Sequence, residues 1–184
     1  VGPSGETIVD MGQNLVGWVR LRVSGERGTT IKLVHAEALD SGGGIYTKNL
    51  RGASQTDIYT LKGSKVEWFE PHFTFHGFRY VQIDGYPGKL ALEDITGIVV
   101  HSDLDQTGTF ETSDPDINQL QKNIIWSQKG NFLAIPTDCP QRDERLGWTG
   151  DAQIFAPTAS FNMHVARFYT SWLRDLALDQ YENG

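Results

Sequence analysis

The chain carries a single cysteine, two methionines and no long apolar run in 184 residues. One thiol, Cys139, excludes an intrachain disulfide and any zinc site built on cysteine pairs. Nothing approaches the roughly eighteen consecutive apolar residues of a membrane-spanning helix. Basic residues are the minority, 16 Lys and Arg against 23 Asp and Glu, for a net charge of -7. No basic patch stands out to neutralise phosphates, which disfavours nucleic acid as a partner. No signal peptide pattern is visible, and the chain opens at Val1. Its last residues follow directly on a helical pattern, so both ends read as cuts within a longer protein. The lone thiol weakly favours a reducing compartment, but a periplasmic or secreted protein with one buried thiol looks the same, so the cellular address stays open.

What is present is enough for a packed core: 39% hydrophobic and 11% aromatic residues, in a length that suits one domain or one and a half. The first hundred residues alternate like strands. Segment 18–23 is expected to bring Trp18, Leu21 and Val23 together, with Arg20 and Arg22 outward. Ile31, Leu33 and His35 recur at period two, and further strand patterns cover 57–62, 78–83 and 95–100. Gly, Ser and Asp clusters separate these runs, which predicts an antiparallel β-sandwich. Gly42-Gly43-Gly44 reads as a hairpin loop, since neither a helix pattern nor Lys-Ser/Thr follows it.

After about residue 107 the period changes. Ser113 or Asp114 is a helix cap, and Pro115 sits in the first turn, where its missing N–H is harmless. Ile117, Leu120, Gln121, Ile124 and Ile125 follow at three-to-four spacing, to about 132. A second helix is expected from 148 or 151 to about 161, with Pro157 as a possible kink, and a third from 163 to about 181. Strands followed by helices predict a β domain over 1–102 and an α domain over 103–184. The apolar face of the last helix is too wide for two helical neighbours to cover. The helical half therefore reads as the opening of a larger helical domain.

Residues 138–151 are the most informative stretch: Asp138-Cys-Pro-Gln-Arg-Asp-Glu-Arg-Leu-Gly-Trp-Thr-Gly-Asp151. Four carboxylates, two guanidiniums and an indole share fourteen residues, and Pro140, Gly147 and Gly150 disfavour one uninterrupted helix. Carboxylates accept hydrogen bonds from hydroxyls, and an apolar ring covers a C–H face, so the set suits a sugar. Glycoside hydrolysis needs two carboxyl groups across the scissile bond, one of them a protonated acid. The plain alternative is a solvated loop in which Arg142, Asp143, Glu144 and Arg145 form surface ion pairs. A Ca²⁺ or Mg²⁺ site is a third reading, opposed by the two arginines and by the lack of Asp-x-Asp-x-Asp-Gly spacing.

This motif closely resembles the catalytic-domain motif of bacterial α-L-rhamnosidases. Other stretches resemble that family in the same order: Asp10-Met-Gly-Gln-Asn14 before Gly17-Trp18, His35-Ala-Glu37, Thr56-Asp57-Ile-Tyr59 and Phe75-His-Gly-Phe-Arg-Tyr80. The resemblance implies inverting hydrolysis of terminal α-L-rhamnose by an (α/α)6 barrel preceded by β-sandwich domains. It implies Glu144 as general acid, with Asp138, Arg142, Trp148 and Asp151 binding the sugar and Asp143 in a supporting part. It calls for no cofactor and no metal, and for rhamnose-containing glycosides or polysaccharides as partners. In that family the general base is a glutamate much further along the barrel. The 184 residues alone are therefore expected not to turn over rhamnosides.

The remaining candidates have plainer readings. Trp18, Trp68, Phe73, Phe75, Phe78 and Tyr80 are expected in the sandwich core, although as a platform they would make this half a carbohydrate-binding module. Asp10, Gln13 and Asn14 read as turn formers, and Trp126 and Trp172 as helix core. His35, His72, His76, His101 and His164 show no metal-ligand spacing. His35 and His76 are expected to be satisfied structurally, and Cys139 to be a packed, inert thiol.

Overall fold

The computed structural model describes residues 1–182, and every structural statement below concerns those residues. They divide into two compact units. One comprises Val1–Val99 with Gln141–Asp143; the other comprises Val100–Pro140 and the chain from Glu144 onward.

The first unit contains β1 (Thr7–Val23), β2 (Thr30–Ala36), β3 (Ala38–Leu39), β4 (Ile45–Tyr46), β5 (Thr56–Thr60), β6 (Glu67–Phe69), β7 (His76–Asp84) and β8 (Ile95–Val99). Six of them form one antiparallel sheet, ordered β5-β2-β7-β1-β6 with β8 also on β1. The separate β3–β4 hairpin closes over the triple glycine, where Asp40 Oδ1 accepts from the N–H groups of Gly42 and Gly44 at 2.8 and 2.9 Å.

β1 reaches further back than its hydrophobic alternation suggests. Its first half is polar, and it pairs with β7 through a large bulge: Asp10 faces Tyr80 and Leu15 faces Phe78, five steps along one strand against two along the other. Gly12, at φ 78°, supplies the left-handed turn that the bulge needs. Asp10 accepts from the Gly12 N–H at 2.8 Å and takes two bonds of 2.8 Å from Arg79. The hydrogen bonds from Arg79 hold the Asp10 carboxyl below its usual value. Asp10 is thus the turn former its sequence position predicts.

The pleat buries Val19, Leu21 and Val23 together with Ile31, Leu33, Phe78, Val81 and Ile83. Trp18 does not join Leu21 and Val23; an odd–even offset puts it on the face of Arg20, and both donate to Glu70, at 2.8 and 2.7 Å. Trp68 and Phe73 also leave the expected core, being 60% and fully exposed, whereas Phe78 is wholly buried. Trp68 lies opposite Arg22, which is an outward position.

The second unit contains α1 (Pro115–Asn131), β9 (Phe132–Leu133), β10 (Ile135–Pro136), α2 (Thr149–Asn162) and α3 (Ala166–Asp179). Asp114 caps α1, accepting from the Asp116 N–H at 2.9 Å, with Pro115 first in the helix. The two-residue strands β9 and β10 turn through Ala134 at φ 66° and escape any periodicity. Phe132, Ala159, Met163, Val165 and Phe168 form the core, with the Phe132 and Phe168 rings stacked at 4.5 Å. Trp172 is buried as expected, while Trp126 is half-buried under Lys129. No described helix is long and apolar enough to cross a membrane.

Candidate active site

The charged loop leaves β10 at Thr137 and enters α2 at Thr149. Its ends are clasped. The Asp138 N–H donates to the Leu146 carbonyl at 3.0 Å, and the Leu146 N–H donates back to Asp138 Oδ1 at 3.1 Å. Arg145 turns the chain between them at φ 55°, a conformation that costs a non-glycine residue about 1–3 kcal/mol. Burial pushes the Arg145 guanidinium below its usual value. Gly147 follows, where a Cβ would come within 2.7 Å of Trp172 Nε1. Only the smallest residue lets the loop lie against α3.

The clasp folds Asp138 and Glu144 onto each other. A carboxylate oxygen of each and the Cys139 sulfur all lie within 4.8 Å of one another. Both acids are half-buried and Cys139 is buried. Burial pushes the Asp138 carboxyl up, but hydrogen bonds from the Cys139 thiol and from the N–H groups of Leu146, Asp138 and Cys139 outweigh it, so the net shift is downward. Asp138 is therefore held as an anion, an acceptor and not an acid. Cys139 is packed, as expected, and its thiol hydrogen-bonds to Asp138.

Trp148, 48% exposed, donates its indole N–H to Glu144 Oε1 at 3.0 Å. Asp151 stands exposed in the first turn of α2, where the helix dipole favours a negative charge. Asp151 and Asp138 both line a cavity of ≈ 510 Å³, floored by Phe132, Pro136, Ala152 and Phe155. The fold thus brings Asp138, Glu144 and Trp148 together and puts Asp151 on a pocket shared with Asp138. Arg142, half-buried, belongs to Gln141–Asp143, the segment that clusters with the sheet unit.

A second close cluster has no signal in residue spacing. His35, Asp57 and His76 come from the neighbouring strands β2, β5 and β7. His76 Nε2 donates to both Asp57 oxygens at 3.0 and 3.1 Å, and His35 Nε2 lies 4.0 Å from Asp57 Oδ2. The His35 and His76 rings stack at 4.1 Å, inclined by 19°. Near-parallel rings aim their in-plane lone pairs side by side, which is poor geometry for chelating one ion. His35 Nδ1 faces the Gln55 carbonyl at 3.1 Å and must donate, so Nε2 carries the lone pair. That atom and His76 Nδ1 have no hydrogen-bond partner among the described residues. The structural role expected of these histidines is therefore met only in part. Burial, with the charge of His76 second, drives His35 down to about 4.

An antiparallel sheet unit thus precedes a helical unit in which Asp138 and Asp151 line a pocket and Glu144 lies close to Asp138. Residues 2–101 match the bacterial alpha-L-rhamnosidase concanavalin-like domain, and residues 105–184 match the bacterial alpha-L-rhamnosidase 6 hairpin glycosidase domain. The chain belongs to the bacterial α-L-rhamnosidase family. It is 57% identical to an alpha-L-rhamnosidase of Streptomyces avermitilis over 180 residues, 98% of this chain and 18% of that protein. The crystal structure of Streptomyces avermitilis alpha-L-rhamnosidase complexed with L-rhamnose superposes with a TM-score of 0.96 at 56% identity, covering 99% of this chain and 18% of that one. The native enzyme from Aspergillus terreus gives 0.91 at 55% identity, covering 94% and 20%. The chain thus spans about a fifth of the length of the relatives it matches.

Proposed function

We propose that residues 138–151 form the sugar-binding and proton-donating side of an inverting α-L-rhamnosidase site. In this reading residues 1–102 are its β-sandwich and 103–184 the first part of its helical barrel. The substrates are glycosides or polysaccharides ending in α-L-rhamnose, in keeping with the names of the relatives and the L-rhamnose complex of one of them.

The observation that carries the reading is the approach of Asp138 and Glu144 within 4.8 Å beside the Trp148 indole. The two acids differ in environment. Asp138, held ionised by its hydrogen bonds, accepts from rhamnose hydroxyls. Asp151 adds a second acceptor on the pocket wall, Arg142 a donor, and the exposed Trp148 ring an apolar surface for the C–H face. Glu144 is the general acid. Its proton passes to the glycosidic oxygen as the C–O bond breaks, and the aglycone leaves as a neutral alcohol. Water attacks the anomeric carbon from the opposite face and gives up a proton to a general base.

Asp138 is not that base. An inverting pair stands about 6.5–9.5 Å apart with water between, and Asp138 is closer to Glu144 than that. The base comes from another part of the full-length protein. The test is Glu144→Gln in that protein. Hydrolysis of rhamnosides should fall about 10²–10⁴-fold while rhamnose affinity stays largely intact. An unchanged rate removes Glu144 from the role.

A further inference from the structure

The segment that leads into the acid is seated on the sheet. Gln141–Asp143 clusters with the first unit, and three residues of that unit receive it. Gln55 Nε2 donates to the Gln141 carbonyl. The Gly52 N–H donates to Asp143 Oδ2 at 3.2 Å. Gly77, on β7, lies directly under Gln141: a Cβ there would come 2.7 Å from Gln141 Cβ and 3.1 and 3.2 Å from its Cα and N. Two of those three atoms are backbone, so a larger residue at 77 must push the main chain of Gln141 away.

The seat is itself immobilised. Gln55 is only 4% exposed. Its carbonyl accepts from both the backbone N–H of His35, at 2.9 Å, and the His35 ring, at 3.1 Å. That ring stacks on His76, which is tied to Asp57. The buried histidine cluster thereby fixes the residue that holds Gln141. Asp143, the last residue of the seated segment, is joined to Glu144 by a single peptide bond.

We infer that Gln55 and Gly77 are positioning residues for the proton donor, acting through the backbone of Gln141–Asp143. This rests on the reading of Glu144 as the acid. Proton transfer to the leaving oxygen tolerates little displacement, and a misplacement of about 1 Å costs up to roughly 10²-fold. A loosened seat therefore penalises substrates in proportion to their need for protonation. A nitrophenol leaves with little help; an alkyl alcohol does not.

The experiment compares Gln55→Ala, Gly77→Ala and Glu144→Gln in the full-length protein, on methyl and on p-nitrophenyl α-L-rhamnoside. The ratio of the two kcat values is read on a single preparation, so any unfolded fraction cancels. In Gln55→Ala and Gly77→Ala the alkyl-to-aryl ratio should fall about tenfold, with KM nearly unchanged. In Glu144→Gln it should fall further. A ratio that stays constant in Gln55→Ala and Gly77→Ala while collapsing in Glu144→Gln overturns the seat alone. A constant ratio in Glu144→Gln overturns the acid assignment and the inference with it.

Discussion

The two units each hold a cluster of three side chains whose polar atoms lie within 4.8 Å of one another: His35, Asp57 and His76 in one, Asp138, Cys139 and Glu144 in the other. Closeness is the same; accessibility is not. Both histidines are at most 1% exposed and the Asp57 side chain 10%, and their bonds run to one another and to Gln55. Asp138 and Glu144 are half-buried, and Asp138 opens onto a pocket of ≈ 510 Å³. A cluster whose bonding is turned inward stabilises a fold. One that borders a cavity, and holds an anion there by backbone donors, has chemistry to offer a ligand.

Asp138→Asn in the full-length protein should break the loop member of the comparison most clearly. It keeps an acceptor for the Leu146 N–H and removes the charge. Hydrogen bonds to a charged group contribute about 1.5–3 kcal/mol, so KM for rhamnosides should rise roughly 10–100-fold with little change in unfolding midpoint. Asp57→Ala should do the reverse. It leaves a buried His76 N–H without its acceptor, which costs about 1–3 kcal/mol in urea unfolding. A loss of rhamnose affinity as large as that of Asp138→Asn would erase the distinction between the clusters.

Acid titration gives a comparable effect on the same unit. The folded value of His35, about 4, lies below its ordinary 6.5, so the unfolded chain binds the proton more tightly. The stability is fully present above about pH 6.5, is lost as pH falls towards 4, and changes no further below that. Between about pH 7 and pH 5 the loss should be about 2 kcal/mol, before the carboxylates with lowered values, such as Asp10 and Glu70, begin to contribute. His35→Phe should flatten that difference in urea midpoints; an equal slope in the variant removes His35 as its source. The smallest effect belongs to Trp148→Phe, which keeps a ring but deletes the bond to Glu144. Catalytic efficiency should fall about twofold to tenfold, equivalent to one hydrogen bond of about 0.5–1.5 kcal/mol. An unchanged value makes that bond incidental.

Much of this was legible in residue order. The cap at Asp114 and Pro115 and the three-to-four spacing after it locate α1 to within a residue or two, because helix signals are local. The contacts among Asp138, Glu144 and Trp148 span at most ten residues and are built from one loop. The polar first half of β1 and the three-residue β6 were not legible. Their pairing is set by partners dozens of residues away, and a bulge interrupts the alternation of β1. Trp18 illustrates the limit. Its size suggested the core, but the pleat, anchored by Val19 and Leu21 beneath it, turned it outward.

By itself, then, the sequence determined the succession of a strand half by a helical half, the family, and the membership of the charged loop, since each depends on residue identity and short-range spacing. Only the tertiary structure decided that two histidines 41 residues apart stack on each other beside one aspartate, and that Gln55 reaches across 86 residues to hold Gln141. Burial and register are properties of the packed sheet, and no local pattern encodes which distant strand will lie alongside.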